Sequence, residues 1–153
     1  MNLTPSNLPT RSRTSFGHAT RIPPPACLSH DLHCDWDIVT TVHVNLLLIG
    51  SSSETGAMLN ALESHLRRPI CSLTPKPGVV LPEPTGGTLI VLEVDRLDSD
   101  QQAQLLRWLN QRQTPAQVVC TSCESLFRRV QAGHFLTDLY YRLNSVLLDV
   151  TPA

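Results

Sequence analysis

The sequence predicts an α/β fold in three layers, a parallel sheet of about five strands with helices on both faces. Three observations carry this. Short β-branched and aliphatic runs of the kind buried on both faces of a sheet recur along residues 38–153. Segments with apolar residues at helical spacing alternate with them. Stretches rich in Pro, Gly and Ser separate the two kinds.

"TVHVNLLLIG", Thr41 to Gly50, reads as the first buried strand. "AMLNALESHLRR" follows as a helix from Ala57, with Met58, Leu59, Leu62 and Leu66 on one stripe and Pro69 ending it. "ICSL" is a short strand, and "PKPGVVLPEPTGG" is loop. "GTLIVLEV" is the next buried strand. Ser99 and Gln102 match a capping box and start a helix through Arg112, striped by Leu105, Leu106 and Leu109. "AQVVCTS" is another strand; Ser122 caps a helix through Ala132, which Gly133 ends. Thr137 caps "DLYYRLN", and "SVLLDV" is the last strand.

Residues 1–37 mix Pro, Ser, Thr and Arg with no period, and Pro23, Pro24 and Pro25 forbid a strand interior. With few apolar side chains to offset ordering entropy, a disordered tail is expected there. Within the 153 residues the formal net charge is −1, so no broad basic surface for nucleic acid is implied. No apolar run reaches the ~20 residues of a membrane span, and no secretory signal opens the chain; a cytoplasmic protein is expected. The five cysteines are an odd count at irregular spacings, which argues against a closed disulfide framework. Cys71, Cys120 and Cys123 read as small hydrophobes. Cys27, His30, His33 and Cys34 are soft potential zinc ligands. Their close spacing is unlike paired zinc knuckles, and a polar linker without metal is the reading adopted.

The stretch Gly50, Ser51, Ser52, Ser53, Glu54, Thr55, Gly56 and Ala57 has the form of a phosphate-binding loop between strand and helix. No lysine stands where GxxxxGK[ST] would place one, and Glu54 adds a negative charge. A charge-assisted hydrogen bond contributes roughly 1.5–3 kcal/mol, so its loss weakens phosphate binding by about 10- to 100-fold. An ordinary Ser- and Gly-rich turn is the alternative reading.

The C-terminal half narrows the choice. "GGTLIVLEVDRLDSDQQAQLLRWLNQ" and "QVVCTSCESLFRRVQAGHFLTDLYYRLNSV" resemble the central AAA+ ATPase domain of sigma-54-dependent transcriptional activators. The motif "DLYYRLN", Asp138 to Asn144, carries most of that resemblance, which runs from about Val44 to Val150 and is weak over residues 69–84. It implies a P-loop NTPase-like core. It also implies roles that this sequence keeps only in part. Leu92 stands where the family has its magnesium-holding Asp, while Glu93 keeps the position of the water-polarising Glu. Ser122 and Cys123 replace the family's sensor Thr-Asn. Of two family arginines that reach a neighbouring subunit's nucleotide, Leu136 replaces the first and Arg142 matches the second. A surface arginine on a helix anchored by Leu139, Tyr140 and Leu143 is the plainer reading of Arg142. Trp108 is read as packing, and Arg128 and Arg129 as a solvated face. No GAFTGA-like loop occupies the short interval before the second motif, and the helical lid is expected to be missing after Ala153.

The expected function is therefore that of a catalytically degenerate sigma-54-activator-like domain acting through protein contacts in transcriptional regulation. Its expected partners are full-length AAA+ activators or a second copy of itself, with no direct DNA binding and no membrane. No cofactor is expected. A regulatory switch that binds ATP or ADP with magnesium weakly, without hydrolysis, is the second reading, and a decayed gene product is the third.

Overall fold

The computed structural model describes residues 33–83, 86–111 and 116–152. Most of the expected tail, with Cys27 and His30, lies outside the described residues, as do the side chains of His33 and Cys34. The five strands are β1 (Leu46–Ile49), β2 (Ile70–Leu73), β3 (Thr88–Val91), β4 (Gln117–Ser122) and β5 (Val146–Asp149). They form one sheet in the order β2-β3-β4-β1-β5, and every pairing is parallel. Five helices accompany them among the described residues: α1 (His33–Val42), before β1, then α2 (Ser52–Leu62), α3 (Ser99–Asn110), α4 (Leu126–Gln131) and α5 (Thr137–Leu143). None of them is long and apolar enough to cross a membrane.

The strands read as unbroken apolar runs because each face of the sheet is covered. Leu47, Ile49, Leu89, Val91, Val118 and Cys120 point to one side and pack with Leu105, Trp108, Leu126, Leu139 and Leu143. Leu46, Leu48, Val119 and Leu148 point to the other and pack with Trp36, Val39, Met58, Leu62 and Leu66. One-residue alternation along the strands therefore assigns α1 and α2 to one layer and α3–α5 to the other. Polar clasps hold the layers in register. Gln102 is buried on α3, donates to the Leu97 and His134 carbonyls, and accepts from the Leu136 N–H at 2.8 Å. Asn45 accepts from the Val118 N–H at 2.9 Å and donates to the Arg142 carbonyl.

Several boundaries differ from the sequence reading. Residues 33–42 are helix, so the last five residues of the expected disordered tail, with buried Trp36, are ordered, and the first strand begins only at Leu46. Trp36 and Val39 bury against the sheet, and the Thr40 and Thr41 hydroxyls bond back to the Trp36 and Asp37 carbonyls, so tertiary packing overrides β-branched propensity. Helix α2 begins at Ser52, five residues before Ala57, and gives way to a 3-10 turn at Glu63–His65. Strand β3 stops at Val91, because Glu93 takes a left-handed conformation (φ 52°) and starts a 3-10 turn over Val94–Arg96. The α3 capping box is Asp98 with Gln101, one residue earlier than Ser99 with Gln102. Asp98 outcompetes Ser99 as the stronger acceptor, which frees Gln102 for its buried role. Ser122 is the last residue of β4, its hydroxyl hydrogen-bonded to Glu124, and α4 starts only at Leu126. Gly133 (φ 77°) does end α4, with the His134 N–H donating to the Arg129 carbonyl at 2.8 Å. Thr137 is the first residue of α5 and does not cap it.

Chain direction sets where a ligand can approach. From β1 the chain runs through α2 to β2 at one edge of the sheet; from β4 it runs through α4 and α5 to β5 at the other. Neighbouring strands β1 and β4 thus send their connections opposite ways, which opens a crevice at their carboxyl ends.

One glycine is set by close approach. A Cβ on Gly87 would lie 2.0 Å from the Pro69 carbonyl oxygen, where β2 and β3 begin. Gly87→Ala is expected to lower stability by about 2–3 kcal/mol in urea unfolding. A change under about 0.5 kcal/mol would contradict this packing.

Candidate functional site

The crevice is built from the start of α2 and the ends of β3 and β4. Gly50 leaves β1 with its N–H donated to the Ser122 carbonyl at 3.0 Å. A Cβ there would meet the Val150 side chain at 2.8 Å and the Glu54 carboxylate at 3.0 Å, so a larger residue has to displace one of these side chains. Ser51 caps α2. Its N–H donates to Glu54 Oε2 at 2.7 Å, and its hydroxyl accepts from the Glu54 N–H at 3.3 Å. This is a complete capping box. The open loop foreseen over Gly50–Ala57 is therefore only two residues long, and Ser52 to Ala57 form the first turns of the helix. Glu54 turns inward, its negative charge set against the positive end of the helix dipole. Thr55 is buried and donates to the Ser51 carbonyl at 2.9 Å. Ser53 and Ala57 are exposed.

Across the crevice, the Glu93 N–H donates to the Thr121 hydroxyl at 2.9 Å. The Glu93 carboxylate is paired with Arg96 at 3.1 Å. Leu92, beside it, presents only a hydrocarbon side chain. Ser52, Thr55, Gly56, Leu59, Asn60, Thr74, Leu92, Glu93 and Thr121 enclose a cleft of about 470 Å³. Of the loop residues named from the sequence, Ser52, Thr55 and Gly56 thus meet Glu93 around one space, while Gly50, Ser51, Ser53, Glu54 and Ala57 do not line it. Arg142 does not join them; it is exposed on α5 and lines a separate hollow with Leu106, Asn110, Asp138 and Tyr141. Arg129 is not a free solvated charge, since it pairs with Glu124 at 2.6 Å. Trp108 packs in the core and donates to the Pro82 carbonyl.

Two features were not foreseen. Thr121 and Thr74 bring hydroxyls to the cleft from strand ends, a placement that only the sheet order discloses. Asp95 is buried in the 3-10 turn, accepts from the Cys123 thiol at 3.4 Å, and leaves its other oxygen without a partner among the described residues. That hydrogen bond, followed by desolvation and the Asp95 charge, pushes the Cys123 thiol above its ordinary range. Burial alone pushes the Cys120 thiol up. Among the described residues no cluster of three metal-ligating side chains forms.

A family model described as Sigma-54 interaction domain matches residues 39–153. This chain belongs to that family. The HTH-type transcriptional regulatory protein TyrR of Enterobacter agglomerans is 32% identical over 78 positions, covering 44% of this chain and 15% of that protein. The sigma54-dependent transcriptional regulator SfnR of Pseudomonas fluorescens is 36% identical over 81 positions, covering 46% of this chain and 22% of that protein. The chain thus spans under a quarter of the length of these relatives. Among solved structures, NtrX from Brucella abortus in complex with ATP superposes with a TM-score of 0.62 at 18% identity, over 80% of this chain and 35% of that one. The P-loop NTPase domain of a sigma-54 activator from E. coli gives a TM-score of 0.56 at 19% identity, over 75% of this chain and 93% of that one. The Sigma-54 interaction domain described here therefore has the P-loop NTPase fold.

Gly56 tests whether the loop still needs its second glycine. It lies inside α2, its φ is not positive, and a Cβ on it would meet nothing within 4 Å. Gly56→Ala is expected to stabilise the Sigma-54 interaction domain by about 0.5–1 kcal/mol in urea unfolding, the usual gain inside a helix; a loss of stability would contradict the helical assignment. The raised Cys123 thiol gives a pH-dependent check. The folded protein holds that proton more tightly than the unfolded chain does. The associated stability is full below the unfolded thiol's range and is lost as pH rises through the folded value. Asp95→Asn is expected to speed alkylation of Cys123 severalfold at pH 8, read by peptide mass spectrometry, because more thiolate forms. An unchanged rate would exclude Asp95 as the cause.

Proposed function

We propose that this domain serves transcription regulation through protein contacts and does not turn over ATP. The observation that carries the reading is the Glu54 carboxylate held by the Ser51 N–H at 2.7 Å. An anion bound at this loop would have to share the helix terminus with a fixed negative charge. At about 4 Å and an effective dielectric near 20, one like-charge pair costs about 4 kcal/mol. Added to the roughly 1.5–3 kcal/mol forgone with the absent lysine, this weakens triphosphate binding by about four orders of magnitude. Leu92 supplies no oxygen to magnesium, and Arg96 already occupies Glu93. These residues do not fit a magnesium–triphosphate, and no hydrolytic step is drawn through one.

What remains for the domain is contact with other proteins. Phe127, Leu136 and Tyr141 are large apolar side chains left exposed on α4, α5 and the turn before α5. A full-length sigma-54 activator or a second copy of this chain is the proposed partner, with Arg142 available at the same end of α5 as Tyr141.

Calorimetry with ATP and with ADP, each with and without magnesium, is expected to show no heat at millimolar ligand, and phosphate release is expected to stay at background. Native mass measurement with a full-length activator is expected to show a mixed complex. Micromolar nucleotide binding, or turnover abolished by Glu93→Gln, would overturn the reading.

A further inference from the structure

We infer that the cleft between α2 and the ends of β2, β3 and β4 is a binding site for a neutral, hydroxyl-rich ring compound, a free sugar or a nucleoside. The inference rests on the reading that the loop rejects phosphate, and it assigns the cleft a ligand that this reading leaves open. Four observations converge.

The space is about 470 Å³, the size of a small-molecule site, and it lies at the carboxyl ends of parallel strands beside the topological switch. Its polar lining is mostly neutral. Ser52, Asn60, Thr74 and Thr121 bring three hydroxyls besides that of Thr55, and one amide, while among the described residues no lysine or arginine lines it. The Thr121 side chain is buried; its oxygen receives the Glu93 N–H, and among the described residues no group accepts its proton. That donor is left for a ligand. The remaining lining is apolar and bare: Leu59 and Leu92 supply hydrocarbon, and Gly56 has open space where a side chain would stand.

This combination matches the two surfaces of a sugar ring. Its C–H face lies on hydrocarbon and bare backbone, and its hydroxyl edge exchanges hydrogen bonds with hydroxyls and amides. The Glu93 carboxylate, in the same lining, accepts hydroxyl protons and repels phosphate esters. The same site that is wrong for a triphosphate is therefore suited to a neutral polyol.

The test is an amide-shift titration of the full chain with adenosine, with methyl glucoside and with ATP. Shifts at Ser52, Gly56, Asn60 and Thr121 with adenosine or methyl glucoside below about 10 mM are expected, and the tighter of the two identifies the source. Gly56→Leu, which fills the open space from a half-buried helix position, is expected to weaken that binding at least about tenfold. A Gly56→Leu domain that is folded by its amide spectrum and binds unchanged would overturn the site. No shift with either neutral compound, with ATP also silent, would overturn the ligand class and leave the proposed function standing. Tighter binding of ATP than of either neutral compound would overturn both.

Discussion

The hydrogen bond from the Ser51 N–H to the Glu54 carboxylate is the constraint on which the site depends. A helix N-terminus in a βα turn is a ready anion cradle, because its first N–H groups lack intrahelical partners. Here the chain supplies the anion from one turn away. The bond shortens the loop to Gly50 and Ser51, starts α2 at Ser52, and brings the Glu54 carboxylate to within 3.0 Å of where a Cβ on Gly50 would stand. It also turns Ser52, Thr55 and Gly56 into one wall of a cleft rather than the rim of a phosphate loop.

The fold and the charge chemistry rest on separate forces. The sheet is held by apolar side chains on both faces, with Leu46, Leu47 and Leu48 wholly buried. Each such residue contributes about 1.5–3 kcal/mol, and none of that depends on a ligand. The groups facing the cleft contribute little to this total. Leu92 is tolerated there because the strand end needs only the Leu92 N–H, which donates to the Leu73 carbonyl at 2.9 Å. The Glu93 backbone likewise needs only Thr121 to hold its left-handed turn. A P-loop NTPase fold can therefore persist while the residues at its mouth change character.

Much of the fold was legible because two-sided burial writes continuous apolar runs, as in "LLLI" and "TLIV". Thr41 and Val42, the start of the strand read from the sequence, belong instead to α1, although both favour strands by type. Their helix is decided by Trp36 and Val39 meeting the sheet, a contact far along the chain. The α3 cap slipped by one because Asp98 and Ser99 both satisfy the local pattern. Of the site, the loop and Glu93 were legible as residues, but not the inward turn of Glu54. Ser51 and Glu54 have capping-box spacing, a signal that was present and was masked by the glycines around it. The contribution of Thr74 and Thr121 was beyond reach, since the strand order alone brings their ends together.

The most direct measurement is hydrogen exchange of the Ser51 amide, read by heteronuclear spectroscopy in the unmodified chain and in Glu54→Ala. The account predicts that Ser51 is protected well above its exposed neighbours Ser52 and Ser53, and that Glu54→Ala removes this protection while the Leu47 and Leu48 amides stay protected. Exchange of Ser51 in the unmodified chain at the rate of an open loop would contradict it.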